Sequence, residues 1–535
     1  MGNFRLTFIL PVLLVLPGIL TAQATADSDA AAIAIENPTE NAADPAPGAM
    51  PTMAEIERAY QRGDFVFVRK GLQQLAEETG TALAQYRYGR VLLEGKGGPR
   101  DMKAARDWLE KAVEQNHAEA ATLLGRIYVS GQDGDPLYNP ERAVDLFANA
   151  AARGQTEAQY YLARLYLSGL GTPADPVQAF NWFLAAAEGG NVSAQYEVSK
   201  AYSRGRGTKL NTEEAVRWLR RAAEEGHTEA QFFVSLAMDT GNGMEQNKHA
   251  AVDWLRRSAE GGMILAQRVL GMKYIAGETV EPNAEEALRW LTLAAKRGDT
   301  QAAYELGTAY LAGKTLSADP GRAWAWFQRA SDDDFGPATT ALARMADEGI
   351  GDVPDLEKAV GLYRKALAQG DSSVALRLGH LAGAGRLDGL TPPHYAVPWA
   401  IVAAQDGDMA ALDWVKTQAG QGLRPARTAL AKWYLETDEN LLQAADLFET
   451  AGRAGDVEAQ YQLGMMLTKG QGVDQDYVQA HKWLNIAAAS GNGEAAKMRG
   501  VISDLMTTEQ IAEAQRLART YFEEIRNLPA GEVQK

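Results

Sequence analysis

The sequence contains no cysteine. That absence excludes disulfide frameworks, zinc ribbons, thiol nucleophiles and acylated-cysteine lipid anchors. Histidine is scarce, six in 535 residues (His117, His227, His249, His380, His394 and His481), and no two stand in an i, i+4 or H-x-x-x-H arrangement. Metal ligation therefore has no scaffold, and a solvated surface is the expected place for these rings. Bases are outnumbered: 53 Lys and Arg face 69 Asp and Glu, a net charge of −16, the wrong field for general nucleic-acid binding. No G-x-S-x-G, Walker A or H-E-x-x-H motif is present, so no nucleophile elbow, phosphate loop or metalloprotease helix is predicted. Gly95-Lys-Gly-Gly98 and Gly205-Arg-Gly207 resemble phosphate loops only superficially, and helix capping explains them better. No catalytic residue, metal ligand or cofactor site is expected.

Long apolar runs are also missing, with one exception at the start. After Arg5, residues 6–20 are uncharged; about 20 apolar residues span a bilayer, and Pro11 and Pro17 interrupt this shorter run. Ala22-Gln23-Ala24 and Ala24-Thr25-Ala26 both fit an A-x-A cleavage site, so residues 1–24 read as a secretory signal peptide, with an uncleaved anchor as the alternative. Leu6 excludes myristoylation of Gly2. The expected location is periplasmic or secreted. Residues 25–51 hold five acids, no base and many Ala and Pro without any period, and read as a disordered acidic linker.

What is abundant is glycine, 52 residues, and it recurs in register. Gly95, Gly131, Gly169, Gly205, Gly241, Gly277, Gly313, Gly349 and Gly385 follow one another at steps of 36 or 38, and Gly470 continues after a break. Ala-Gln-Tyr recurs at Ala84, Ala158, Ala194 and Ala459. A second column holds Trp108, Trp182, Trp218, Trp254, Trp290, Trp326, Trp399 and Trp483. In Ala194–Tyr202 the residues Ala194, Val198, Ser199 and Tyr202 follow i, i+4, i+5, i+8, one buried helical face. Gly205 closes that helix because glycine reaches a left-handed conformation without steric cost. A loop then leads to Thr212, a plausible N-cap, and a second helix through Trp218, Ala222 and Ala223. Such hairpins cannot bury their own faces, so neighbours must stack.

The order A-x-A-Q-Y-x-L-G-x-x-Y-x-x-G-x-G followed by A-x-x-W-x-x-x-A-A-x-x-G, as in Ala459–Gly472 and Ala480–Ala488, resembles the Sel1-like repeat family, relatives of tetratricopeptide repeats. The resemblance covers about residues 52–492. It implies an all-α fold, a right-handed α-solenoid of about twelve Sel1-like helical hairpins. It also implies a non-enzymatic class of adaptors that act in envelope complexes, exopolysaccharide export, signalling and host interaction. Cysteine-rich members linked to penicillin binding offer no carry-over to a chain without cysteine. The array is expected over 52–385 and again over 426–492. An irregular insert at 386–425 breaks the register at Pro392, Pro393, Pro398 and Pro425, with an extra helix near Ala410–Ala419. Thr507–Gln510 fits a capping box, opening the last of the C-terminal capping helices within 493–526, before a tail at 527–535.

In a repeat, residues shared by most units read as structural and departures from a column read as functional candidates. The eight column tryptophans are therefore assigned to the core. Trp324, Trp414 and Trp433 lie off the column and are candidates for partner contact. If the first helix of each hairpin lines the concave face, the positions two and six beyond the leading Ala point outward. The first position reads Tyr86, Thr122, Tyr160, Tyr196, Phe232; the second reads Arg90, Arg126, Arg164, Lys200. Cations interleaved with aromatics on an acidic protein predict a groove for an extended anionic partner, an acidic protein segment or an acidic polysaccharide. The competing reading is ordinary helical ion pairing, as of Arg90 with Glu94, worth roughly 0.2–0.5 kcal/mol. Beyond Phe232 the row turns apolar. The functional expectation is an exported protein–protein interaction scaffold of the cell envelope, with an acidic-glycan-binding module as the alternative.

Overall fold

A computed structural model describes residues 50–131, 135 and 137–526; the expected signal peptide at 1–24, nearly all of the expected linker and the tail at 527–535 lie outside them. Among the described residues there are 27 α-helices and no strand, most of them 13 residues long. Consecutive helices pack as pairs, the all-α solenoid architecture expected. The chain divides into two compact units, residues 1–270 and 271–535.

Within unit 1 the hairpin is built by caps at each turn. Asn211, not Thr212, is the N-cap of the helix Thr212–Glu224: its side chain accepts from the Glu214 N–H at 3.1 Å. Asn bonds the first-turn amides as well as Thr does, so the start moves by one residue. Glycine ends the first helices: Gly205 stands at φ +65° and its N–H reaches the Ala201 carbonyl. Gly131 departs from its column. It leaves its helix extended, at φ −84° and ψ −174°, where the repeat is 38 residues rather than 36 and the longer loop needs no left-handed turn.

The close approach of the two helices in a hairpin depends on a different glycine. A Cβ on Gly89 would stand 2.9 Å from Leu109 Cγ, and one on Gly125 2.8 Å from the Phe147 ring. Leu109, Phe147 and Phe183 are fully or almost fully buried. They therefore act as the knob of each pair; Leu109 and Phe147 seat on bare backbone of the partner helix, and Phe183 stands where the equivalent place is the small Ala163. The column tryptophans are less deeply placed than expected. Trp218, Trp290 and Trp483 are buried, but Trp108, Trp182, Trp254, Trp326 and Trp399 are only half-buried. Two of these rings lie between the core and a cation: Lys111 Nζ is 3.9 Å from the Trp108 centroid and Arg257 4.6 Å from that of Trp254. The amphipathic ring suits that boundary better than the interior.

Unit 2 repeats the plan and then breaks it. Gly307 meets Phe327 and Gly464 meets Leu484 in the same knob contact. The region 386–425 contains helices Pro393–Gln405 and Met409–Gly420, the second of them a helix that pairs on both sides and has no counterpart elsewhere. Helices Arg424–Glu436 and Leu441–Arg453 then restore the hairpin; the first ends at Thr437, an αR cap in place of glycine. The helix Thr508–Arg526 opens with a reciprocal capping box, Thr507 N–H to Gln510 Oε1 at 2.8 Å and Gln510 N–H to Thr507 Oγ1 at 3.3 Å. Tyr521 anchors it, donating to the Gly452 carbonyl at 2.9 Å.

Candidate functional site

The aromatic and cationic row lies wholly within unit 1, on first helices of consecutive hairpins. Tyr86 stacks on His117 of the next hairpin, with centroids 4.7 Å apart and 26° between planes, and Tyr196 meets His227 at 4.5 Å. Each histidine is itself an N-cap. His117 Nδ1 accepts from the Ala120 N–H and His227 Nδ1 from the Ala230 N–H, both at 3.3 Å. The rings therefore do not fall in solvated loops, as the sequence suggested; they tie one hairpin to the next. Burial pulls both imidazoles below their ordinary pKa, against the opposing pull of Glu119 and Glu229. Tyr160 packs against Phe183 at 5.8 Å, and Phe232 lies edge-on to Phe233 at 5.6 Å. Burial pushes the Tyr196 phenol up to about 12. Thr122 interrupts the aromatic row, buried with its hydroxyl on the Ala118 carbonyl.

The four cations differ in their surroundings. Arg90 pairs with Glu94 at 2.7 Å, and Lys96 shares that carboxylate at 2.9 Å. Arg126 reaches Glu157 on the next hairpin at 3.0 Å. Lys200 pairs with Glu197 at 2.7 Å and stands 5.1 Å from the Tyr196 centroid. Arg164 lies 5.8 Å from the Tyr160 centroid and has no ion-pair partner among the described residues. Three of the four therefore have a carboxylate beside them, which weakens the field of the row at long range.

The off-column tryptophans belong to unit 2 and are not brought together into one site. Trp324 packs on the core beneath Lys358 Nζ, 4.0 Å from its centroid. Trp414 is half-buried against the same core from the inserted helix. Trp433 lines a groove of about 420 Å³ with Val397, Pro398, Ile401 and Ala429. At its rim Lys432 meets Glu458 at 2.8 Å. Burial opposes ionisation of Glu458, yet hydrogen bonds from Gln462 and Lys432 hold its carboxyl below the usual range.

Of the remaining histidines, His481 is buried, with Nδ1 lacking a hydrogen-bond partner, and His380 Nδ1 lies 2.6 Å from Asp408. Among the described residues no three His, Asp or Glu side chains converge as a metal site, and no helix is long and apolar enough to cross a membrane.

Nine stretches of the chain match the model of the Sel1 repeat: 82–117, 118–155, 156–191, 192–227, 228–263, 264–299, 300–335, 337–371 and 457–492. Together they make up more than half of its length. The chain belongs to the Sel1 repeat family. The match leaves out 372–456, the part of unit 2 that carries the inserted helix. Among curated relatives, the alginate biosynthesis protein AlgK of Pseudomonas syringae pv. tomato is 40% identical over 94 residues, 18% of this chain and 19% of AlgK. The exopolysaccharide production negative regulator of Rhizobium meliloti is 36% identical over 72 residues, 13% of this chain and 27% of the regulator. The chain thus spans less than a third of either relative. A solved structure, c5321, a protective antigen of uropathogenic Escherichia coli strains with an SLR fold, is 28% identical with a TM-score of 0.55. That likeness covers 86% of this chain and 97% of c5321.

Two histidine N-caps of this Sel1 repeat protein escaped the sequence reading. The signal was available: His117-Ala-Glu-Ala and His227-Thr-Glu-Ala each stand 31 residues after a row tyrosine. The same place holds Phe335 after Tyr304, with centroids 5.6 Å apart.

Proposed function

We propose that this Sel1 repeat protein is an exported, non-enzymatic scaffold of the bacterial cell envelope that binds protein partners along the face carrying Tyr86, Arg90, Arg126, Tyr160, Arg164, Tyr196, Lys200 and Phe232. The observation that carries the reading is the serial tie of Tyr86 to His117, Arg126 to Glu157 and Tyr196 to His227. Tyr86, Arg126 and Tyr196 are held by the next hairpin and Arg90 and Lys200 by carboxylates on their own helices, so the face meets a partner already ordered and loses little entropy on binding. Trp433 and its groove give unit 2 a second contact of apolar character. Several weak contacts along the array then add to one useful affinity.

The alternative is binding of an acidic polysaccharide. It is favoured by the names of AlgK and the Rhizobium regulator and by Arg164, the row cation without a carboxylate. The two readings separate in one experiment. The exported chain is used as bait in native envelope extracts and, in parallel, on immobilised acidic polysaccharide. A protein scaffold captures defined proteins and leaves the polysaccharide column unretarded. Retention on polysaccharide that is abolished by joint reversal of Arg90, Arg126, Arg164 and Lys200 to Glu overturns it in favour of the glycan reading.

A further inference from the structure

One hairpin of unit 1 departs from the repeat at two facing positions. Where other second helices place the column tryptophan, the helix Pro140–Ala152 has Leu146. The turn that precedes this hairpin has Asn116 at φ +62°, and only the turn at Asp334, φ +59°, shares a non-glycine residue there; the corresponding turns at Gly154, Gly190, Gly226, Gly262, Gly298 and Gly370 stand at φ +85° to +97°. Asn enters this left-handed region more readily than most residues, though less freely than glycine. Arg153 holds it there, bonding the Asn116 carbonyl at 2.6 Å and its Oδ1 at 3.0 Å.

Between these two departures lies a cavity of about 300 Å³. Val113, Ala121 and Leu146 supply its apolar part; Asn116, His117, Arg142, Asp145 and Asn149 supply its polar part. The side chains of Arg142, Asp145 and Asn149 have no hydrogen-bond or ion-pair partner among the described residues. Leucine also replaces the column tryptophan at 362 and 447. Next to Leu362 the turn bond is the same, Gln369 to Asp334 at 3.2 Å, but the positions of Asn149, Arg142 and Asp145 hold Lys365, bonded to Ser331 Oγ at 2.9 Å, Lys358, seated over Trp324, and Gly361. Before Leu447 the turn keeps its glycine, Gly422.

We propose that this cavity binds one pyranose ring of a saccharide chain. A donor-only guanidinium, an acceptor-only carboxylate and amides that do both match vicinal hydroxyls, each of which donates and accepts. The apolar side chains suit the C–H face of the ring, and the volume is at the low end for small-ligand sites. Peptide backbone, with one donor and one acceptor per residue, uses this set less fully. The site includes none of the four row cations, although His117 in its wall also carries the Tyr86 stack, and it stands whether or not those cations bind.

The test titrates the full chain with a panel of neutral oligosaccharides (cello- and manno-oligosaccharides) and of oligouronates, by calorimetry and by saturation-transfer NMR. Leu146→Trp restores the repeat residue and fills the cavity. It is expected to weaken binding at least tenfold with an unchanged or higher Tm. Asn116→Gly is expected to raise Tm while weakening binding severalfold. Should Leu146→Trp fold poorly, Asn149→Ala on the exposed rim serves instead, with a loss of at least fivefold. Arg142→Gln distinguishes the sources: a loss confined to oligouronates identifies an acidic sugar, an equal loss on both a neutral one. Reversal of the four row cations leaves affinity within twofold. The proposal is overturned if no saccharide binds, if Leu146→Trp binds as the parent does, or if what Leu146→Trp abolishes is capture of a protein and not of a sugar.

Discussion

In unit 1 neighbouring hairpins are tied by Tyr86 on His117, Tyr196 on His227 and the exposed pair of Arg126 with Glu157. Unit 2 has such ties too, Tyr304 on Phe335 and Lys432 with Glu458, and adds a buried one: Asp347, 8% exposed, receives Arg377 at 2.6 Å and the Tyr363 hydroxyl at 3.2 Å. The two chemistries have different consequences. An exposed ion pair such as Arg126 with Glu157 contributes little and can be altered singly, and the ring stacks beside it carry no buried charge. A buried carboxylate is stable only while its partner is present. Unit 1 can therefore vary its surface hairpin by hairpin, whereas unit 2 depends on a few contacts next to its irregular insert.

The sharpest way to break this comparison is to remove one partner on each side. Arg377→Met leaves Asp347 buried with one hydroxyl for company. It should destabilise unit 2 by about 3 kcal/mol, the low end for a broken buried pair because the guanidinium is half-exposed. Asp347→Leu combined with Arg377→Met should recover most of that loss. Arg126→Met in unit 1 should shift stability by no more than about 1 kcal/mol. Denaturant melts followed in each unit check all three, and equal losses in the two units would remove the distinction.

A second contrast uses the glycines at the hairpin knobs. A Cβ on Gly379 would meet backbone, the Trp399 carbonyl oxygen at 2.1 Å, whereas one on Gly89 meets the Leu109 side chain at 2.9 Å. Gly379→Ala is expected to cost about 3 kcal/mol and Gly89→Ala about 1 kcal/mol, since a side chain can yield where backbone cannot. Urea midpoints of the two variants decide the order.

The smallest expected effect is on pH. Burial holds His117, His227 and His481 below their ordinary pKa; for His481 the Arg499 charge adds to it. Below about 6.5, the unfolded value, the unfolded chain takes up protons that these folded imidazoles refuse. Their stabilisation is therefore full above that pH and falls as the pH drops toward the depressed folded values. Melting temperature should decline between pH 7 and pH 5. His117→Asn with His227→Asn, which keeps a capping side chain, should flatten the part of the slope that belongs to unit 1. His481→Leu should flatten the part that belongs to unit 2.

Much of the fold was legible because the hairpin is copied: a glycine column at 36-residue steps, a tryptophan column and the Thr507–Gln510 box all state local geometry directly. The extra helix near Ala410–Ala419 was legible and is Met409–Gly420, but the prolines do not mark it: Pro392 and Pro393 open the regular helix Pro393–Gln405, Pro398 lies inside that helix, and Pro425 lies in the first turn of Arg424–Glu436. The depth of the tryptophans was not legible, since a ring at a boundary and a ring in a core obey the same period; only the adjacent Leu109 or Phe183 shows where the interior lies. The row was readable as residue types and, where the partner lies on the same helix, as a pair: Arg90 meets Glu94 as its spacing implied; partners on other hairpins were not readable. Glu157 is on another hairpin from Arg126, and that juxtaposition follows from stacking distance, not from spacing along one helix. His117 and His227 were missed for a related reason: a capping ring and a solvated ring look alike until the next turn is in place.

The two histidine seams have an evolutionary consequence. His117-Ala-Glu-Ala and His227-Thr-Glu-Ala present nearly the same junction to the hairpin before them, and three matched repeats lie between. Unequal crossing-over at these points would delete or duplicate whole repeats while leaving every joint sealed by a Tyr–His stack. The length of this half of the array is thus free to drift under selection for reach, without any new contact having to be invented.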